Sequence, residues 1–140
     1  MAARRIDHLG IAVRDLDRAE ALFGALLGQA PGPRERVESE GVDVSFFRTG
    51  ESRFELLAPT RPDSPIQAAL DKRGEGLHHV CLAVDDIDAE VARLRAAGFQ
   101  LVGEAPRPGA GGCRVAFVHP KSAGGLLIEL SQPPPGGGGH

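Results

Sequence analysis

Two histidines and two glutamates recur at matched positions in this chain. His79 stands 71 residues after His8, and the same shift lays Ala83 on Ala12, Val84 on Val13, Asp86 on Asp15, Asp88 on Asp17 and Ala92 on Ala21. Further along, Phe54-Glu55-Leu56 answers Ile128-Glu129-Leu130 at an offset of 74 residues, so Glu129 matches Glu55. Imidazole nitrogens and carboxylate oxygens are donors that divalent first-row ions accept. An inward carboxylate is costly to bury unpaired, and a shared cation removes that cost for both glutamates together. His8, Glu55, His79 and Glu129 therefore form a candidate metal site, with one histidine and one glutamate from each copy of a duplicated unit. A lone strand histidine is more often a core or surface residue than a ligand, but the repeat favours ligation here. His78, beside His79 on the opposite face, reads as structural.

The elements that must carry these residues follow from periodicity. Ile6 to Val13 suits a strand with His8, Gly10 and Ala12 on one face, the two small residues leaving room around the imidazole. Asp15 or Asp17 caps a helix whose buried stripe is Leu16, Ala19, Leu22, Phe23, Leu26 and Leu27, ending near Gly28. Residues 29–41 read as a loop. Val42 to Phe47 and Ser52 to Leu57 read as strands about a turn at Thr49-Gly50-Glu51, the second placing Arg53, Glu55 and Leu57 on one face. Ser64-Pro65 starts a short linker helix with Ile66, Ala69 and Leu70 as its apolar face. Leu77 to Val84 (strand), Asp86 to Ala97 (helix), a strand from Leu101, a loop over 106–112, and strands at Arg114 to His119 and Gly125 to Leu130 repeat the plan. The expected fold class is α+β. Each unit reads as strand, helix, then two or three strands, and two such units, at about 5–60 and 76–132 with a linker helix over 61–75, can curl their sheets toward each other and enclose a cleft within one domain, 1–132. In such a sheet all four candidate ligands point into the cleft. Residues 133–140, Pro and Gly without apolar content, read as a disordered tail.

Composition removes several classes of function. A net charge of −3 with scattered Lys and Arg gives no basic stripe, and the only aromatics are six Phe, so nucleic acid is not an expected partner. No apolar run approaches the roughly 20 residues needed to cross a bilayer, so no membrane association is expected. Cys81 and Cys113 make no disulfide framework, and no signal-type leader is apparent. A reducing, cytoplasmic setting is therefore expected, with Cys81 an inert thiol facing the core side of its strand.

Several stretches resemble the vicinal oxygen chelate superfamily and, within it, the methylmalonyl-CoA epimerases. The broader resemblance is carried by Ile6-Asp7-His8-Leu9-Gly10-Ile11-Ala12-Val13 and Glu55-Leu56-Leu57-Ala58-Pro59. The narrower one rests on Gly74-Glu75-Gly76-Leu77-His78-His79 and His119-Pro120-Lys121-Ser122. The resemblance implies one divalent ion, cobalt first with manganese, nickel or zinc also compatible, held by His8, Glu55, His79 and Glu129. It also implies two βαβββ modules forming a cupped, barrel-like mixed sheet, methylmalonyl-CoA as substrate and a homodimer. Four ligands on an octahedral ion leave two positions for a bidentate substrate. Some family members have glutamine at the place of Glu55 and an acid/base glutamate where this chain has Val44. Either one of the metal-bound glutamates then doubles as a base, or a different residue or a metal-bound water makes the second transfer.

Epimerisation removes the C2 proton from one face and returns one to the other, which asks for two acid/base groups or one mobile carrier. Glu129 is the first candidate base and Glu55 its opposite. Lys121 and Ser122 read as binding the substrate carboxylate or CoA phosphates, or else as a solvated turn. His119 reads as a substrate contact or a plain turn residue, and Gly111 and Gly112 as presenting backbone amides. Arg14, Arg18 and Arg107 read as surface charges within reach of CoA phosphates. Two other readings compete. A glyoxalase I has a similar ligand set but typically Asp-Pro-Asp-Gly in place of His119-Pro120-Lys121-Ser122. A metal-free binding protein on the same fold would lack the complete ligand set.

Overall fold

The computed structural model describes residues 3–135, so the last part of the expected disordered tail lies outside the described residues. The chain divides into two compact units, one spanning His8–His78 and the other made of Met1–Asp7 with His79–His140. The divisions fall at the two candidate histidines.

In the unit His8–His78, β1 (Arg5–Ala12) leads through α1 (Leu16–Leu27) to the edge strand β2 (Glu35–Val37), then β3 (Val42–Thr49) and β4 (Ser52–Pro59). The strand order is β2-β3-β4-β1, with β1 parallel to β4 and the other pairs antiparallel. Asp15 is the N-cap of α1, its side chain accepting from the Arg18 N–H, and Gly28 closes the helix in the left-handed region at φ 69°. Leu16 and Ala19 pack with Val13, Phe47, Leu56 and Ala58 into a core on one face of the sheet. The stripe expected on α1 is only partly inward. Leu22 and Leu26 are 63% and 72% exposed, while Phe23 and Leu27 pack against the core.

The expected loop over 29–41 contains β2 and a 3-10 turn, Glu38–Glu40. Glu35 and Val37 pair with Val44 and Val42. Three residues rich in charge carry no alternation signal, which is how such edges escape a periodicity reading. Helix α2 (Pro65–Arg73) is capped by Ser64 with Pro at its first turn and buries Ile66 and Leu70.

The second unit repeats the order. β5 (Gly76–Ala83), α3 (Ile87–Ala96), β6 (Leu101–Pro108), β7 (Arg114–Val118) and β8 (Ile128–Gln132) give the sheet order β5-β8-β7-β6, again with the first strand parallel to the last. Asp86 caps α3 as Asp15 caps α1. Ile87 and Val91 pack on Val84, Ala116 and Leu130. Two expectations are corrected here. Pro106 to Pro108 belong to β6 rather than to a loop, with the register shifting between Val102 and Arg107; an edge strand and a bulge tolerate proline because no ladder donor is needed there. The last strand begins at Ile128 rather than Gly125, since Gly124 and Gly125 take positive φ in the preceding turn.

Candidate active site

Alternation on each sheet separates a helix-packed face from the opposite one. In the unit His8–His78, Phe54, Leu56 and Ala58 of β4 lie on the α1 side, which puts Arg53, Glu55 and Leu57 on the other. His8, Gly10 and Ala12 share that other face of β1, where the register sets His8 opposite Arg53 and Gly10 opposite Glu55. His8 and Glu55 are both buried, with His8 Nδ1 3.3 Å from Glu55 Oε2. An Nδ1–H directed at that oxygen leaves Nε2 with its lone pair outward, the arrangement by which carboxylates orient ligating imidazoles.

The second unit holds the corresponding pair. His79 and Glu129 are buried, and His79 Nε2 lies 2.9 Å from Glu129 Oε1. Leu82, Ile128 and Leu130 pack against α3, so His79, Cys81, Glu129 and Ser131 face the other way. Cys81 is buried as expected, but it shares the face of His79 rather than the helix side, and its Cα partner is Glu129.

Three side chains the sequence reading did not single out complete these half-sites. Phe46 stands directly opposite Glu55 in the β3–β4 register, and Phe117 directly opposite Glu129 in the β7–β8 register, so the duplication supplies one ring beside each glutamate. Phe117 meets His79 edge-on at 5.9 Å between ring centroids and is covered by the Arg107 guanidinium at 5.6 Å. Gly32 fixes Phe46 from the side. Its N–H donates to the Phe46 carbonyl, and a Cβ at Gly32 would come within 2.8 Å of the ring.

Arg53 is the third. It is the largest of the fully buried side chains at 2% exposure. Its Nη2 donates to Glu55 Oε2 at 2.6 Å and lies 3.5 Å from His8 Nδ1, with the guanidinium 5.9 Å from the Phe46 centroid. The available signal was its position two residues before Glu55 in a strand, which places both on one face.

The other expected binding residues have local structural partners. His119 caps the 3-10 turn Pro120–Ser122, its Nδ1 accepting from the Lys121 N–H at 3.1 Å. Ser122 Oγ accepts from the Gln100 N–H, and Lys121 is exposed. Gly111 and Gly112 take φ of 67° and 74° in the turn before β7. Arg14 is tied to the Leu70 carbonyl through its guanidinium. Val44 is buried on β3 opposite Leu57 and has no proton to offer.

The donor sets fit a divalent ion. At metal–ligand distances of about 2.1 Å, adjacent ligands of a six-coordinate ion stand about 3.0 Å apart, close to the 2.9 Å between His79 Nε2 and Glu129 Oε1; in the other pair His8 Nε2 and Glu55 Oε1 are the atoms left to ligate.

Residues 7–117 match the Glyoxalase/Bleomycin resistance protein/Dioxygenase superfamily, and the chain belongs to that superfamily, with the vicinal oxygen chelate fold. Its similarities narrow the family to the methylmalonyl-CoA epimerases. The chain is 40% identical to the ethylmalonyl-CoA/methylmalonyl-CoA epimerase of Cereibacter sphaeroides, over 91% of this chain and 97% of that protein. It superposes on the methylmalonyl-CoA epimerase of Mycobacterium tuberculosis with a TM-score of 0.91 at 38% identity, covering 96% of this chain and 91% of the other. A Streptomyces coelicolor methylmalonyl-CoA epimerase variant in complex with 2-nitronate-propionyl-CoA matches at a TM-score of 0.89 and 36% identity, over 96% and 97% of the two chains. The resemblance read from the His119 and His79 motifs is borne out.

Proposed function

We propose that this chain interconverts (R)- and (S)-methylmalonyl-CoA by proton transfer at C2. The observation that carries the reading is the pair of buried His–Glu couples at corresponding strand positions of both units, in a chain whose relatives are epimerases of this substrate. His8, Glu55, His79 and Glu129 would hold one divalent ion. When bound, such an ion supplies Lewis acidity toward the thioester and carboxylate oxygens of the substrate, where the enolate charge develops. The family resemblance puts cobalt first among the candidates; manganese, nickel and zinc accept the same nitrogen and oxygen donors.

Glu129 is the residue we assign to proton abstraction, with Glu55 on the opposite side. Phe46 and Phe117 flank these carboxylates and keep water from them, so a proton moves between carboxylate and carbon in a site of low dielectric. Val44, at the position where other family members carry a glutamate, leaves the work to the two that remain. Lys121, Ser122, His119, Gly111 and Gly112 are proposed as contacts to the acyl-CoA. The homodimer implied by the family is part of the proposal and is tested by light scattering after size exclusion. A cytoplasmic setting is proposed as well; among the described residues no helix is long and apolar enough to cross a membrane.

The decisive experiment is proton NMR of methylmalonyl-CoA in D2O with cobalt-loaded and chelator-stripped protein. Metal-dependent entry of deuterium at C2 is expected from either stereoisomer. Exchange no faster than the uncatalysed rate, with metal bound, would sink the reading.

A further inference from the structure

The two half-sites match in histidine, glutamate and phenylalanine but differ in the charge that stands beside the glutamate. Two residues before Glu55 stands Arg53, and two residues before Glu129 stands Leu127, which has no charge to offer. Arg53 is buried, donates to Oε2 of Glu55 at 2.6 Å and lies against the Phe46 ring. A guanidinium is permanently charged and is removed from water only against a compensating anion.

We propose that Arg53 is a charge-compensating, positioning residue for Glu55: it occupies Oε2, presents Oε1, and cancels the charge that a second carboxylate brings to the metal site. This rests on the assignment of His8, Glu55, His79 and Glu129 as ligands. With neutral imidazoles, two ionised glutamates balance a divalent ion, and the loaded site would offer no net charge to an anionic substrate. With Arg53 the loaded site keeps one positive charge, as it would with a neutral amide at position 55. Arg53 thus weakens divalent-ion binding by contending for Glu55 and strengthens binding of the substrate carboxylate. The Arg53–Glu55 pair acts as a unit, so its two members must be tested together.

The test is a double-mutant cycle of Arg53→Met and Glu55→Gln with Arg53→Lys as the conservative variant. Cobalt affinity is measured by competition with a chromophoric chelator, KM and kcat with methylmalonyl-CoA. Arg53→Met strands the Glu55 carboxylate in the apoprotein, and the ion then relieves it. Cobalt binding should tighten at least tenfold, about 1.4 kcal/mol, while KM rises several-fold more than kcat falls. The double variant should return both quantities to within about threefold of the wild-type values, the range a lost neutral contact allows. Arg53→Lys should hold cobalt affinity near wild type, since the charge remains. Unchanged or weaker cobalt binding in Arg53→Met, with KM unmoved, overturns the proposal. Should Arg53→Met fail to fold while the double variant folds, the stranded carboxylate is the cause and the proposal stands; failure of both would make Arg53 a packing residue and overturn it. Wild-type protein that binds no divalent ion would instead remove the ligand assignment itself.

Discussion

Glu55 and Glu129 hold equivalent strand positions, yet their neighbours differ. Glu55 is gripped by a guanidinium at 2.6 Å, whereas Glu129 has His79 at 2.9 Å and the Phe117 ring on the next strand. A carboxylate fixed by a permanent cation is the poorer proton carrier, which favours Glu129 as the principal base. Glu129→Gln is expected to lower kcat by roughly 10²- to 10⁴-fold, the usual contribution of a positioned acid/base group. Deuterium entry followed separately from each stereoisomer checks this; equal, undiminished exchange from both would remove Glu129 from the reaction. A second prediction concerns the ring beside Glu55. Gly32→Ala drives a Cβ to 2.8 Å from Phe46 and should cost about 1–3 kcal/mol, as overpacking does, read as a lower urea midpoint at unchanged slope.

At the level of elements, the segment before β2 is anchored by charge where it lacks apolar residues. Arg34 donates to Glu20 at 2.6 Å and to Asp17 on α1, and the Ser45 hydroxyl of β3 donates to Glu20. The Arg34 guanidinium, joined by the Ser45 hydroxyl, holds the Glu20 carboxyl below its ordinary value of 4.5, against the opposing pull of burial. A depressed folded-state value means that the ionised form stabilises the fold above the unfolded value. This contribution is lost as pH falls through the folded one. Glu20→Gln should therefore cost about 1–2 kcal/mol at pH 7, and the variant and wild type should converge in stability as pH drops below about 4, measured by urea unfolding across that range. A difference that stayed constant from pH 7 down to the acid end of the range would show that the loss is steric rather than ionic. Arg36 likewise lowers Asp43, and Arg114 lowers Asp88, but these pairs lie at the surface and are screened.

For the whole molecule, the proposed ligand set draws on both halves of the sequence, so metal binding is expected to depend on the folded state of the entire chain. Cobalt at a hundred times its dissociation constant should raise stability by about 2.7 kcal/mol. The thermal midpoint should rise accordingly and return on stripping with chelator. Glu129→Gln and His8→Ala should each blunt that rise, scanned at equal protein and metal concentrations. A midpoint indifferent to cobalt would argue for a chain that holds no resident ion.

Much of this organisation was legible in residue types and spacing. The matched histidines and glutamates, the Asp15 and Asp86 caps, the linker helix from Ser64-Pro65 and the strand-then-helix-then-strands order of each unit follow from local rules: strand alternation, cap chemistry and the backbone preferences of Gly and Pro. Those rules act over a few residues, so the sequence alone suffices for them. The tertiary structure decided what depends on neighbours distant in the chain. It set Phe46 and Phe117 opposite the two glutamates, turned Leu22 and Leu26 outward, drew Glu35–Val37 and Pro106–Pro108 into edge strands, and buried Arg53 against Glu55 and His8. Burial and cross-strand register are properties of the packed sheet. An arginine two residues before a glutamate becomes a counter-charge only when that packing removes both from water.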